Sequence, residues 1–132
     1  MATYLDTSAL AKLCTTEAES LALRRWLADA PQPLATSIVG EVELGRSMAK
    51  VGGAAASVAE TLRRALVILP LTPAVAERAR RLPPGVLRSL DAIHVATALE
   101  LGEDLTAVVS YDQRMIDAAT AAGLEVVSPG RD

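Results

Sequence analysis

Apolar residues recur along this chain in two rhythms: short aliphatic runs, and longer stretches where they return every three or four positions. The first run, Thr3 to Leu5, ends at Asp6, and from Ser8 the residues Leu10 and Leu13 take up helical spacing. Leu21, Leu23, Trp26 and Leu27 mark a second helix between Glu17 and Ala30, closed by Pro31 and Pro33, which lack the amide hydrogen a helix needs. After a strand at Leu34 to Thr36, Ser37 is placed to cap a helix from Ile38 to Lys50, which Gly52 and Gly53 stop. A helix from Ala54 to Leu66 runs into a strand at Val67 to Leu69, and Pro73 opens a further helix reaching about Leu82. Pro83, Pro84 and Gly85 break the chain before a helix from Arg88 to Leu101, closed by Gly102. A strand at Thr106 to Ser110, a helix from Gln113 to Ala122 stopped by Gly123, and a strand at Glu125 to Ser128 complete the pattern.

Strands separated each time by one or two helices predict an α/β fold of three layers, a central parallel sheet of about five strands with helices on both faces. The 132 residues suit a single domain spanning 1–132, since a chain of this length buries roughly 65 to 70% of its unfolded surface. Hydrophobic residues make up 51% of the chain but aromatics only 2%, with no Phe, so the core must be built from Leu, Val, Ile and Ala. A formal charge of −3 gives no global attraction to nucleic acid, and such binding would need a local basic patch. The single cysteine, Cys14, excludes an internal disulfide and a multi-cysteine zinc cluster, and a reducing cytosol suits it. With neither a leader pattern nor a run of ~18 apolar residues, a cytoplasmic protein with no membrane contact is expected.

Acids at the carboxyl ends of parallel strands lie where open α/β sheets bind ligands. Asp6 follows the first strand directly, and Asp112 follows the fourth by two residues in VVSYDQ. Asp91 and Glu43 sit on helices that are otherwise apolar, where a buried unpaired charge is costly. Each has an ordinary alternative: an Asx turn for Asp6, a helix cap for Asp112, a dipole-favoured first-turn acid for Asp91, a solvated charge for Glu43. Gathered in one crevice, such carboxylates would repel by about 4 kcal/mol per pair at ~4 Å and an effective dielectric constant near ~20. A hard divalent cation removes that penalty, and an all-oxygen donor set favours Mg²⁺ or Mn²⁺ over zinc. Glu41 competes with Glu43. The two lie about 200° apart on a helix, one on each side of the apolar stripe, and periodicity does not choose between them.

Four segments in order, YLDTSALAKL, SIVGEVELGR, SLDAIHVATALELG and VVSYDQRMIDAATAAGLEVVSP, resemble the PIN-domain family and, within it, the VapC-type toxins. The resemblance covers nearly the whole chain. It implies a Rossmann-like sheet and a metal-dependent endoribonuclease, the toxin of a toxin–antitoxin pair, whose acidic quartet falls on Asp6, Glu43, Asp91 and Asp112. The family's central segment has its Glu six residues after the Ser, which selects Glu43. It also implies that Ser8 orients the first carboxylate or a water, with Thr7 a further supporting candidate and Glu41 an extra acid beside the motif. An RNA substrate, a VapB-type antitoxin and a homodimer complete the expectation.

Arg46, one turn after Glu43, and Arg114, beside Asp112, are the cations best placed to meet a phosphate or to pair with the quartet. His94, three residues after Asp91, is read as a satisfied core or helix-surface histidine, and Cys14 and Trp26 as packing residues. A phosphoacceptor receiver would need a paired acid at the first strand and a suitably placed lysine, whereas Lys12 and Lys50 are the only lysines and neither fits. A phosphatase of the haloacid-dehalogenase type would need a second Asp where Ser8 stands. A PIN nuclease of RNA maturation is the remaining alternative.

Overall fold

The computed structural model describes residues 1–131, and among them lie five strands and seven α-helices. In chain order these are β1 (Ala2–Leu5), α1 (Thr7–Cys14), α2 (Ser20–Ala28), β2 (Leu34–Ser37), α3 (Ile38–Val51), α4 (Gly53–Ala65) and β3 (Val67–Leu69). There follow α5 (Pro73–Arg81), α6 (Ser89–Glu100), β4 (Leu105–Val109), α7 (Gln113–Ala121) and β5 (Val126–Val127). The strands form one sheet in the order β3-β2-β1-β4-β5, and every pairing is parallel.

Alternation along the strands divides the core in two, because successive side chains point to opposite faces. Leu5 and Val109 join Leu10, Leu23, Leu44 and Met48 on the face covered by α1 to α4. Tyr4 and Val108 join Val95, Ala98 and Met115 on the face covered by α6 and α7, with α5 packed against α6. These are the three layers the strand and helix alternation predicts. Small residues of α6, Ala92, Ala96 and Ala98, are buried and let that helix lie close to its neighbours. Trp26 and Cys14 pack with the first core, as their apolar spacing suggests.

Element boundaries depart from the periodicity in one informative place. The second helix starts at Ser20 rather than Glu17. The Ser20 hydroxyl accepts the Glu17 amide and donates to the carbonyls of Lys12 and Thr15, holding 17–19 as a turn. No helix among the described residues is long and apolar enough to cross a membrane.

The chain runs outward from β1 through β2 to β3, then crosses back to place β4 on the other side of β1. This reversal puts the ends of β1 and β4 beside each other, at the point of an open α/β sheet where a crevice forms.

Candidate active site

Leu5 pairs with Val109, and the Asp6 amide donates to the Val109 carbonyl, so the chain leaves the two central strands side by side at Asp6 and Ser110. Asp6 is 3% exposed and caps α1 by accepting the Ala9 amide on Oδ1 at 3.0 Å. The Ser8 hydroxyl donates to the same oxygen at 2.6 Å, and the Ser110 hydroxyl donates to Oδ2 at 2.5 Å. Each serine is itself aimed by a backbone donor: Ser8 accepts the Tyr111 amide at 2.9 Å and Ser110 accepts the Asp112 amide at 3.2 Å. Burial raises the Asp6 carboxyl above its ordinary value, and the Ser110 and Ser8 hydrogen bonds oppose that rise.

Glu43 enters from α3 and is half-buried. Its Oε1 accepts the Thr7 hydroxyl at 2.6 Å and lies 3.1 Å from His94 Nε2. The His94 contact leads in holding this carboxyl below its usual range. Gly40 makes the approach of α3 possible: a Cβ there would stand 2.8 Å from His94 Cε1 and 2.5 Å from Thr36 Oγ1.

Asp91 lies in the first turn of α6, half-buried, and Asp112 is exposed and caps α7 through the Arg114 amide at 3.0 Å. The Asp91 carboxyl is raised first by burial and then by the negative charge of Asp112, with smaller contributions from Asp6 and Glu43. Asp91 thus lies within reach of the negative charge of the other three acids. Among the described residues, none forms an ion pair with Lys or Arg, and no three His, Cys, Asp or Glu groups stand close enough to grasp one ion as they are placed. In chemistry the donor set is all carboxylate oxygen, which fits a hard divalent cation.

Other candidates separate. Glu41 faces away from the quartet: it lies 3.9 Å from the Arg63 guanidinium and lines a cleft with Leu10, Leu44 and Met48. Two positions along α3 turn it about 200° from Glu43. Arg46 lines a cleft of about 540 Å³ with Glu43, Ile38, Val42 and Leu90. Arg114 lines a different, mostly apolar cleft with Pro83, Pro84, Val86 and Leu87, and neither arginine pairs with the quartet among the described residues. One support escaped the sequence reading. Ser110 was only the end of a strand, although its place two residues before Asp112 and beside the first strand hinted at more. His94 is a satisfied buried histidine, as read, but the group that satisfies it is Glu43.

The PIN-domain family model matches residues 3–121. The chain belongs to the PIN-domain family. It is 43% identical over 131 residues to Ribonuclease VapC47 of Mycobacterium tuberculosis (strain CDC 1551 / Oshkosh), with 96% of each chain covered. To Ribonuclease VapC46 of Mycobacterium tuberculosis (strain ATCC 25618 / H37Rv) it is 41% identical over 128 residues, covering 97% of this chain and 98% of the relative. Among solved structures, VapC20 of M. tuberculosis, described as a sarcin-ricin loop cleaving toxin, superposes with a TM-score of 0.74 at 22% identity, covering 96% of this chain and 99% of that one. VapBC2 of Rickettsia felis, bound to a DNA fragment from its promoter, gives 0.73 at 14% identity, with 98% and 99% covered. At such identities these two speak to the PIN fold.

Proposed function

We propose that this PIN-domain chain is a divalent-cation-dependent endoribonuclease and the toxin of a VapBC-type pair. What supports the reading is that Ser110 joins Asp6 to the Asp112 amide at the ends of β1 and β4, and that Asp91 feels the negative charge of Asp112, Asp6 and Glu43. Relatives that match end to end are named ribonucleases, which supports the activity.

Asp6, Glu43, Asp91 and Asp112 would hold one or two Mg²⁺ or Mn²⁺ ions. Such a cation would supply Lewis acidity toward a phosphodiester and a bound water. The protein's own part is positional. Ser8 and Ser110 fix both oxygens of Asp6, while Thr7 and His94 fix one oxygen of Glu43. Asp91 and Asp112 are less buried and have fewer donors on their oxygens, which leaves those oxygens open to a ligand. Arg46, on the cleft that reaches Glu43, is placed to meet RNA phosphate. Arg114 would contact the strand further along.

Exposed Ile38, Val42 and Leu90 beside that cleft suit a protein partner, either a second copy or a VapB-type antitoxin. Structures similar in fold include a toxin–antitoxin complex from Klebsiella pneumoniae.

Incubating the purified protein with RNA in Mg²⁺ or Mn²⁺, with and without EDTA, tests the reading. Cleavage that EDTA abolishes and that leaves 5′ phosphates is expected. A 2′,3′-cyclic phosphate product, or cleavage indifferent to EDTA, would overturn it.

A further inference from the structure

His94 is the chain's single histidine and is 2% exposed, yet both ring nitrogens are engaged. Nδ1 lies 2.7 Å from the hydroxyl of Tyr4, itself fully buried on β1. Nε2 lies 3.1 Å from Glu43 Oε1 and 3.2 Å from Thr7 Oγ1. The hydrogens of this cluster can be assigned by counting donors. A carboxylate only accepts, and Thr7 commits its one hydroxyl hydrogen to Glu43 at 2.6 Å. Both neighbours of Nε2 are therefore acceptors, and Nε2 must carry a hydrogen.

The ring is also fixed in space. Tyr4 meets it edge-on, with ring centroids 5.8 Å apart and planes at 78°. On another side the backbone of Gly40 comes so close that even a methyl group would collide with Cε1. A histidine that merely filled the core would require neither an aimed Nε2–H nor a glycine opposite.

We propose that His94 is the positioning residue of Glu43, its Nε2–H clamping Oε1 together with Thr7 while Tyr4 sets the ring from behind. Oε2 is left without a hydrogen-bond donor among the described residues, so it is the oxygen available to a cation. How Glu43 is held follows from the geometry alone, and what it does there rests on the nuclease reading.

Two measurements test this. Because there is one histidine, a long-range ¹H–¹⁵N correlation spectrum of the metal-free protein at neutral pH reports a single imidazole. Protonated Nε2 is expected, and a bare Nε2 with hydrogen on Nδ1 would overturn the proposal. The second compares His94→Gln with His94→Asn, using Mn²⁺ binding by electron paramagnetic resonance and RNA cleavage. A glutamine amide reaches the position of Nε2, whereas an asparagine amide reaches only that of Nδ1. His94→Gln should keep most of the Mn²⁺ affinity and kcat, while His94→Asn should lose roughly 10- to 100-fold in both with KM for RNA little changed. Equal behaviour of the two variants would overturn the assignment. A wild-type protein that binds no Mn²⁺ would instead defeat the nuclease reading, and the imidazole spectrum would then decide the role of His94 by itself.

Discussion

Asp6 and Glu43, and against them Asp91 and Asp112, carry the same charge and are held in opposite ways. Asp6 is buried and receives a backbone amide and two hydroxyls, and Glu43 receives a hydroxyl and an imidazole. Asp112 is exposed and receives only the amide it caps, and Asp91 has burial and like charge against it with no hydrogen bond among the described residues. The first pair is preorganised, since each donor is oriented by a further partner. The second has no such network among the described residues.

Removing Asp6 strands the most hydrogen-bond partners. Asp6→Ala should lower RNA cleavage by more than about 100-fold, beyond the usual loss from an outer support. It should also lower the melting temperature, because the stranded hydroxyls of Ser8 and Ser110 cost about 1–3 kcal/mol. Cleavage assays and thermal unfolding check both, and retained activity would take Asp6 out of the site. Ser110→Ala keeps the carboxylate but releases Oδ2, so a loss nearer tenfold is expected in the same assay. In the less supported pair, Asp112→Asn should reduce cleavage without destabilising the fold, because Asn caps a helix as well as Asp does.

A pH-dependent contrast follows from the raised Asp91 carboxyl. A carboxyl whose folded pKa lies above its unfolded value favours the fold when protonated, and that contribution is lost as pH rises through the folded pKa. In EDTA at neutral pH, Asp91→Asn should therefore melt above wild type, with the gap shrinking as pH falls through the ordinary carboxylate range. Thermal scans across that range check it, and a gap that widened on acidification would contradict the sign. Glu43 has the opposite shift and the opposite sign: its contribution is present above the unfolded carboxylate pKa and fades as pH falls. The smallest effect belongs to Glu41→Gln. Turned toward Arg63, it should cleave RNA at the wild-type rate, and a clear loss would return Glu41 to the site.

The layered fold was legible because strand and helix periods differ so plainly here: the runs Val67 to Leu69 and Glu125 to Ser128 are too short for helices, and Pro and Gly mark the ends. The acids at strand ends were legible for the same reason, since topology alone sends Asp6 and Asp112 to one edge. The sidedness of α3 was not. Glu41 and Glu43 flank the same apolar stripe, and what separates them is the partner each meets across space, Arg63 in one case and His94 in the other. Likewise Ser110, Tyr4 and Gly40 serve the site through neighbours 104, 90 and 54 positions away in the chain, and local periodicity carries no trace of that.

The most direct test of the central claim is a crystal soaked in Mn²⁺ and measured for anomalous scattering. The account predicts a peak in the crevice with carboxylate oxygens of Asp6 and at least one more of the quartet as ligands. Well-ordered crystals with Mn²⁺ bound only elsewhere, or a crevice whose acids point apart, would contradict it.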